Sequence, residues 1–260
     1  MNSYIWITSI SGIALITMVL LKNKKLKKEF FHNNQTVLYM DPYIAKNFIE
    51  NDMDGYVQSL SIYDLRARNA TTISDYLQKS VQDVIPFNTF QKTQLNKAIE
   101  YANDFFKTYR NYYIDSLNIQ KIPWIFILTN GYYENGLPHT RHEYIFLTPQ
   151  VINTNLKDLI ITLIHEKIHV YQRIYLFDIQ KKLINMYYKK YGFRKNYENK
   201  LLRANPDLDQ YIYVSPQNER MVSIYNSDHP KNISDATGSK YEHPFEEIAY
   251  TISKHFDKNI

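Results

Sequence analysis

The chain contains no cysteine among its 260 residues. Disulfides, thiolate metal sites and cysteine nucleophiles are therefore excluded, and any bound metal must be held by imidazole and carboxylate groups. There is no glycine-rich phosphate loop, no Gly-x-Ser-x-Gly and no internal repeat, and the acids are scattered without a two-carboxylate signature. Phosphate-loop, serine-nucleophile and paired-carboxylate chemistries thus lack support. Strong charge of one sign is also missing. The net charge is +5, and much of the excess is local, in Lys22, Lys24, Lys25, Lys27 and Lys28 and in a second stretch between Lys181 and Arg203. That distribution fits a membrane flank and one basic segment better than a nucleic-acid footprint, and no nucleic-acid motif accompanies it. With 44% hydrophobic and 22% charged residues the chain reads as globular, and its length suits one large domain.

The N-terminus carries a different signal. Tyr4 to Leu21 runs 18 residues without a charge, near the lower limit for crossing a bilayer. A cleaved signal peptide would have a positive start and a small-x-small cleavage site, and neither is present. Residues 1–21 are expected to be a single-pass transmembrane anchor and residues 22–40 a basic juxtamembrane stalk. By the lysine cluster directly after the span, the C-terminal domain, residues 41–260, is expected to face the cytoplasm or its topological equivalent.

Within that domain the signals are helical from 41 to 113. Thr72 with Asp75 forms a helix-capping pattern. Leu95, Ala98, Ile99, Ala102, Phe105, Phe106 and Tyr109 make an apolar stripe at three- and four-residue spacing. The period then changes. Ile122 to Gly131 and His142 to Gln150 are short apolar runs ended by turn residues and read as strands, with a loop between them. Helices are expected at roughly 155–177 and 179–191, a hairpin over Tyr211 to Asn226, and a final helix starting near Pro244. The expected class is α+β, mainly helical with a small mixed sheet.

"LIHEKIHVYQ" lies on the first of those two helices. His165 and His169 stand four apart, so they share one helix face at the spacing that lets two imidazoles bind one tetrahedral ion. Glu166 is rotated about 100° from His165 and can reach a water on that ion rather than the ion itself. Two ligands and one general base is the logic of the His-Glu-x-x-His pattern. The preceding "LKDLIITLI" is apolar at helical spacing, so the motif is packed into a core, where unpaired polar groups are costly. The bland alternative is a buried helix with satisfied histidines. His139 and His142 are not framed by a carboxylate cluster and read as exposed.

With two strands before it, the "HEKIH" helix resembles the zincin metallopeptidases over roughly residues 120–255. That resemblance implies a bound zinc ion, a peptide or protein substrate, and an edge strand beside the motif helix along which substrate adds as a further strand; "HEYIFLTP" is the candidate. Gln172 and Tyr175 stand where a three-histidine zincin would have its glycine and its last histidine. The resemblance is therefore to the gluzincin branch, which takes a later glutamate, often in a Glu-x-x-Ala setting. Glu246 with Ala249 in "HPFEEIAY" fits it, and the adjacent Glu247 is the alternative ligand. The thermolysin-like pattern has an Asp four residues beyond its ligand glutamate; Tyr250 and Thr251 stand there. A carboxylate orienting a histidine must come from elsewhere or be missing. The implied mechanism makes Glu166 the base, with an oxyanion donor among Tyr213, Tyr225, His229, Tyr241 and His243. The competing class is a catalytically inactive zincin-fold membrane protein with a structural or binding role.

Overall fold

The structure is a computed structural model and describes residues 36–257. The expected anchor and most of the expected stalk lie outside the described residues. Among those described, no helix is long and apolar enough to cross a membrane.

About half of the described residues are helical and the strands form small sheets, an α+β architecture. In chain order the elements are β1 (Val37–Tyr39), α1 (Pro42–Glu50), α2 (Ile62–Ala67), α3 (Ile73–Asp83), α4 (Thr89–Thr108), α5 (Ser116–Lys121), β2 (Trp124–Leu128), β3 (His139–Arg141), β4 (Tyr144–Leu147) and α6 (Pro149–Ile152). After them come α7 (Leu156–Ile174), α8 (Leu176–Asn185), β5 (Lys189–Phe193), β6 (Tyr211–Val214), β7 (Arg220–Met221), β8 (Ser223–Tyr225), β9 (Ala236–Gly238) and α9 (Pro244–Asp257).

The largest sheet is mixed, in the order β1-β2-β4-β3. Strands β1, β2 and β4 are parallel and β3 is antiparallel to β4. All five residues of β2 are buried, because the sheet is covered on both faces and a strand so placed has no polar side to alternate. Trp124, Phe126, Leu128, Ile145 and Leu147 join a core with α4, α7 and α9. Ile127 and Phe146 face the other way, into a second core with Ala45, Phe48 and Ile49 of α1 and Tyr76 of α3. The helix starts follow the capping residues. Thr72 accepts from Asp75 N, and Asn88 and Gln91 form a full capping box at α4.

Three sequence expectations are corrected. Val37–Tyr39, placed in the stalk, is strand β1 and pairs with β2. The helix expected to reach 191 stops at Asn185; Tyr187 has φ +66°, which a helix does not accommodate, and Lys189–Phe193 instead pairs with β6. The loop between the two expected strands contains β3. Its three residues have no apolar period because polar partners bury them: Arg141 pairs with Asp52 at 2.6 Å and with Asp54, and Thr140 N donates to Asp207.

One buried charge cluster fastens the loop before β3. Glu134, at φ +48°, accepts from Arg68 Nε at 2.9 Å, from Arg68 Nη2 at 2.7 Å and from the Tyr76 hydroxyl at 2.6 Å. Burial opposes ionisation of Glu134, yet the Arg68 guanidinium and the Tyr76 hydroxyl hold its carboxyl down at about 2. Because this folded-state value lies below the ordinary carboxylate value, the stabilisation is full above about pH 4.5 and lost as pH falls toward 2. Glu134→Gln removes the nearer of the two carboxylates beside the buried Arg68, leaving Asp64 at 3.7 Å, so it should destabilise the domain by about 2 kcal/mol and flatten this acid limb. Urea unfolding midpoints for both proteins from pH 7 to pH 3 check this, and coincident curves would contradict it.

Candidate metal centre

Helix α7 is capped by Asn155, whose side chain accepts from Asp158 N at 2.9 Å. From Leu163 to Gln172 all residues but His165 are buried, enclosing the helix almost completely. Lys167, in the middle of the motif, is fully buried. Its ammonium donates to the carbonyls of Ile122 and Pro123, just before β2, and lies 4.2 Å from the Trp124 ring centroid. That contact fixes the rotation of α7 against the sheet.

The opposite face of α7 packs on α9, and there the donors converge. His165 Nε2 and His169 Nε2 are 3.0 Å apart, and Glu246 Oε2 lies 3.5 Å from the first and 3.9 Å from the second. Around a tetrahedral ion with 2.0–2.1 Å bonds, donor atoms stand about 3.3 Å apart. These three residues therefore form a group that could hold a metal ion. The hydrogen bonds behind them agree. His169 Nδ1 lies 2.9 Å from Gln172 Oε1, an acceptor, so the proton sits on Nδ1 and the Nε2 lone pair faces the other two donors. Gln172 Nε2 in turn donates to Phe245 O, next to Glu246. Asn205 Nδ2 donates to Glu246 Oε1 at 2.9 Å, leaving Oε2 for the histidines. The orienting partner of His169 is thus an amide, not a carboxylate, and a second amide orients Glu246.

Burial sets the protonation of the centre. It pushes His169 down to about 3, so this imidazole is neutral. It pushes Glu166 up to about 7. Glu246 behaves differently: burial opposes its charge, but the hydrogen bond from His165 and the neighbouring imidazole charge hold it down at about 2. A proton can satisfy one pair in this electron-rich cluster, whereas a divalent cation satisfies all three.

The group opens into a cleft of about 570 Å³. Glu166 lines it, and its Oε2 accepts from the Thr140 hydroxyl at 2.9 Å. Of the proposed oxyanion donors, Tyr241 lines the cleft. Tyr213 and His243 are buried against Asp209, at 2.9 and 3.1 Å. The Tyr225 hydroxyl donates to Asp64, and His229 is exposed beside Asp228. None of these four lines the cleft. Glu247 is turned away from the histidines and accepts from the Tyr188 hydroxyl at 2.9 Å. His139 and His142 do not converge: His142 pairs with Glu143, while His139 is buried, not exposed, and stacks on Phe146.

The substrate-edge expectation is corrected as well. "HEYIFLTP" forms β4, inside the sheet, and the edge is β3. At that edge Thr140 N donates to Asp207 Oδ1 at 2.6 Å, and Thr140 O accepts from Arg173 at 3.1 Å.

Several residues of the centre and its cleft escaped the sequence reading. Tyr250 packs edge-on to His165, with ring centroids 4.6 Å apart; its place four residues after Glu246 was the visible signal. Gln172, three after His169, had the same kind of signal. Asn205 and Asp207 lie in a loop with no period to betray them.

Compared with known protein families, with curated proteins and with solved structures, the chain matches none.

The full chain should bind one divalent ion per molecule. Gln172→Ala frees the His169 ring and should weaken binding 10- to 100-fold, whereas Glu247→Gln should leave it unchanged. Competition against a chromogenic zinc chelator reads both. A loss with Glu247→Gln equal to that with Gln172→Ala would contradict this ligand geometry.

Proposed function

We propose that the protein is a membrane-anchored, zinc-dependent peptidase of the zincin type. The observation that carries this reading is the meeting of His165, His169 and Glu246 at the wall of one cleft, with Glu166 beside them. A mixed sheet behind the motif helix and a glutamate from a later helix support placing the domain with the gluzincins. The donor set of two imidazoles and a carboxylate suits zinc in a catalytic arrangement with one position open. The uncharged run from Tyr4 to Leu21 and the lysines after it support a single-pass anchor with the domain on the cytoplasmic side.

Zinc held by the three ligands supplies Lewis acidity toward a water and a peptide carbonyl. The chain's own groups do the rest. Glu166, pushed up to about 7 by burial, takes a proton from the attacking water and delivers it to the leaving amine nitrogen. Thr140 holds the Glu166 carboxylate in place. The hydroxyls of Tyr241 and Tyr250 have no hydrogen-bond partner among the described residues and border the cleft, so they are the donors available to a developing oxyanion.

One observation favours the non-enzymatic alternative: the Thr140 backbone on edge strand β3 is already taken by Asp207 and Arg173. A protein that keeps the metal for stability alone has no need of that edge.

The two readings part on Glu166. In the full chain, purified in detergent, His165→Ala should lose the zinc. Glu166→Gln should keep it and lower the rate of peptide cleavage at least about 100-fold. Cleavage is read on denatured protein and peptide mixtures by mass spectrometry, and metal by elemental analysis. Undiminished cleavage in Glu166→Gln would remove the proposed mechanism, and zinc bound without any cleavage by the wild type would favour the structural role.

A further inference from the structure

Glu246, Tyr250 and Lys254 follow one another at i, i+4 and i+8 on α9, and all three line the cleft. Residues so spaced share a helix face, and at 1.5 Å rise per residue Lys254 lies ~12 Å along the axis from Glu246. Ile161 and Thr162 of α7, about a turn before His165, line the same cleft. The cleft therefore continues from the metal-binding group along both helices toward Lys254.

Two cations border this stretch. The Lys254 ammonium lies 5.5 Å from the Tyr250 ring centroid, and that of Lys240 lies 5.2 Å from the Tyr241 ring centroid. The two rings are themselves 5.8 Å apart. Together they form an aromatic wall with an ammonium at each ring. No ion pair engages either lysine among the described residues, and Arg203, the other cation of the cleft, is paired with Glu242. The acids lining the cleft are also engaged: Glu134 with Arg68, Glu242 with Arg203, Asp207 with Thr140 N, Glu166 with the Thr140 hydroxyl, and Glu246 with Asn205. Among the described residues the two lysines are thus the cleft's lysine and arginine cations without an ion pair. Recognition through backbone pairing is already closed at Thr140, which leaves the lysine and tyrosine wall to select substrate.

The geometry points to a peptide substrate bearing a carboxylate three or four residues from the scissile bond, held by Lys254 and Lys240 on the Tyr250–Tyr241 wall. The spacing follows from the Lys254 ammonium lying 5.5 Å from a Tyr250 ring that is itself 4.6 Å from the His165 ring, which about three residues of extended chain at ~3.3 Å each span, with up to one more to reach an ion beyond that ring. The carboxylate has two possible sources, an acidic side chain or the peptide's own C-terminus. This inference rests on the peptidase reading.

The test uses the zinc-loaded full chain and a peptide it cleaves once. Glu replaces Gln at each position in turn, with free and amidated C-termini, and kcat/KM is measured for every member. Glu three or four residues from the cut should raise kcat/KM about fivefold over Gln. The gain should vanish in about 0.5 M salt and reverse in Lys254→Glu. A gain confined to the free C-terminus, in peptides ending three or four residues after the cut, would support the inference with the terminal carboxylate as source. Equal kcat/KM for Glu and Gln at every position and for both C-termini, in an enzyme whose cleavage is abolished by Glu166→Gln, would overturn this inference and leave the peptidase reading standing. No zinc-dependent cleavage of any peptide would overturn both.

Discussion

Three electron-pair donors are driven together where α7 crosses α9, and the rest of the centre is arranged around that juxtaposition. Imidazole lone pairs and a carboxylate oxygen at 3.0 to 3.9 Å repel one another unless something positive lies between them. Burial sharpens this, since water cannot screen the cluster. The neighbouring contacts hold the donors in place instead of letting them separate. Gln172 sets the tautomer of His169 and ties α7 to the backbone of α9, Asn205 turns Glu246 toward the histidines, and Lys167 locks the rotation of α7 against the sheet. A proton on His165 relieves one pair of this arrangement, and the group as a whole could hold a metal ion.

The same economy of charge governs the cleft. The loop from Arg203 to Asp207 crosses it as a strap, bonded to Glu242, Glu246, Thr140 and the Arg68–Asp64 pair. It orients a ligand at one point and occupies the exposed sheet edge at another. Orientation of Glu246 and closure of the edge thus come from one segment.

What the sequence made legible was whatever repeats at a helix or strand period. The α4 stripe, the buried run of β2 and the i, i+4 histidines could be read because their neighbours on a face are neighbours by spacing. Strand β3 could not, because polar partners distant in sequence bury it: Arg141 needs Asp52 and Asp54, and Thr140 needs Asp207. Asn205 was hidden for the same reason. Glu246 and Glu247 could not be separated by spacing alone; rotation about α9 separates them, carrying Glu247 to Tyr188. Lys190, Arg194 and Arg203, which read as a basic stretch, are taken up by Gln180, by the Arg203 carbonyl and by Glu242.

The central claim is that His165, His169 and Glu246 ligate one ion. Zinc-edge X-ray absorption on the stoichiometrically loaded full chain tests it most directly. The account predicts two imidazole nitrogens and one carboxylate oxygen at about 2.0–2.2 Å, with a further light atom completing four-coordination, and one imidazole fewer in His169→Ala. A spectrum without imidazole scattering, or one unchanged by His169→Ala, would contradict it.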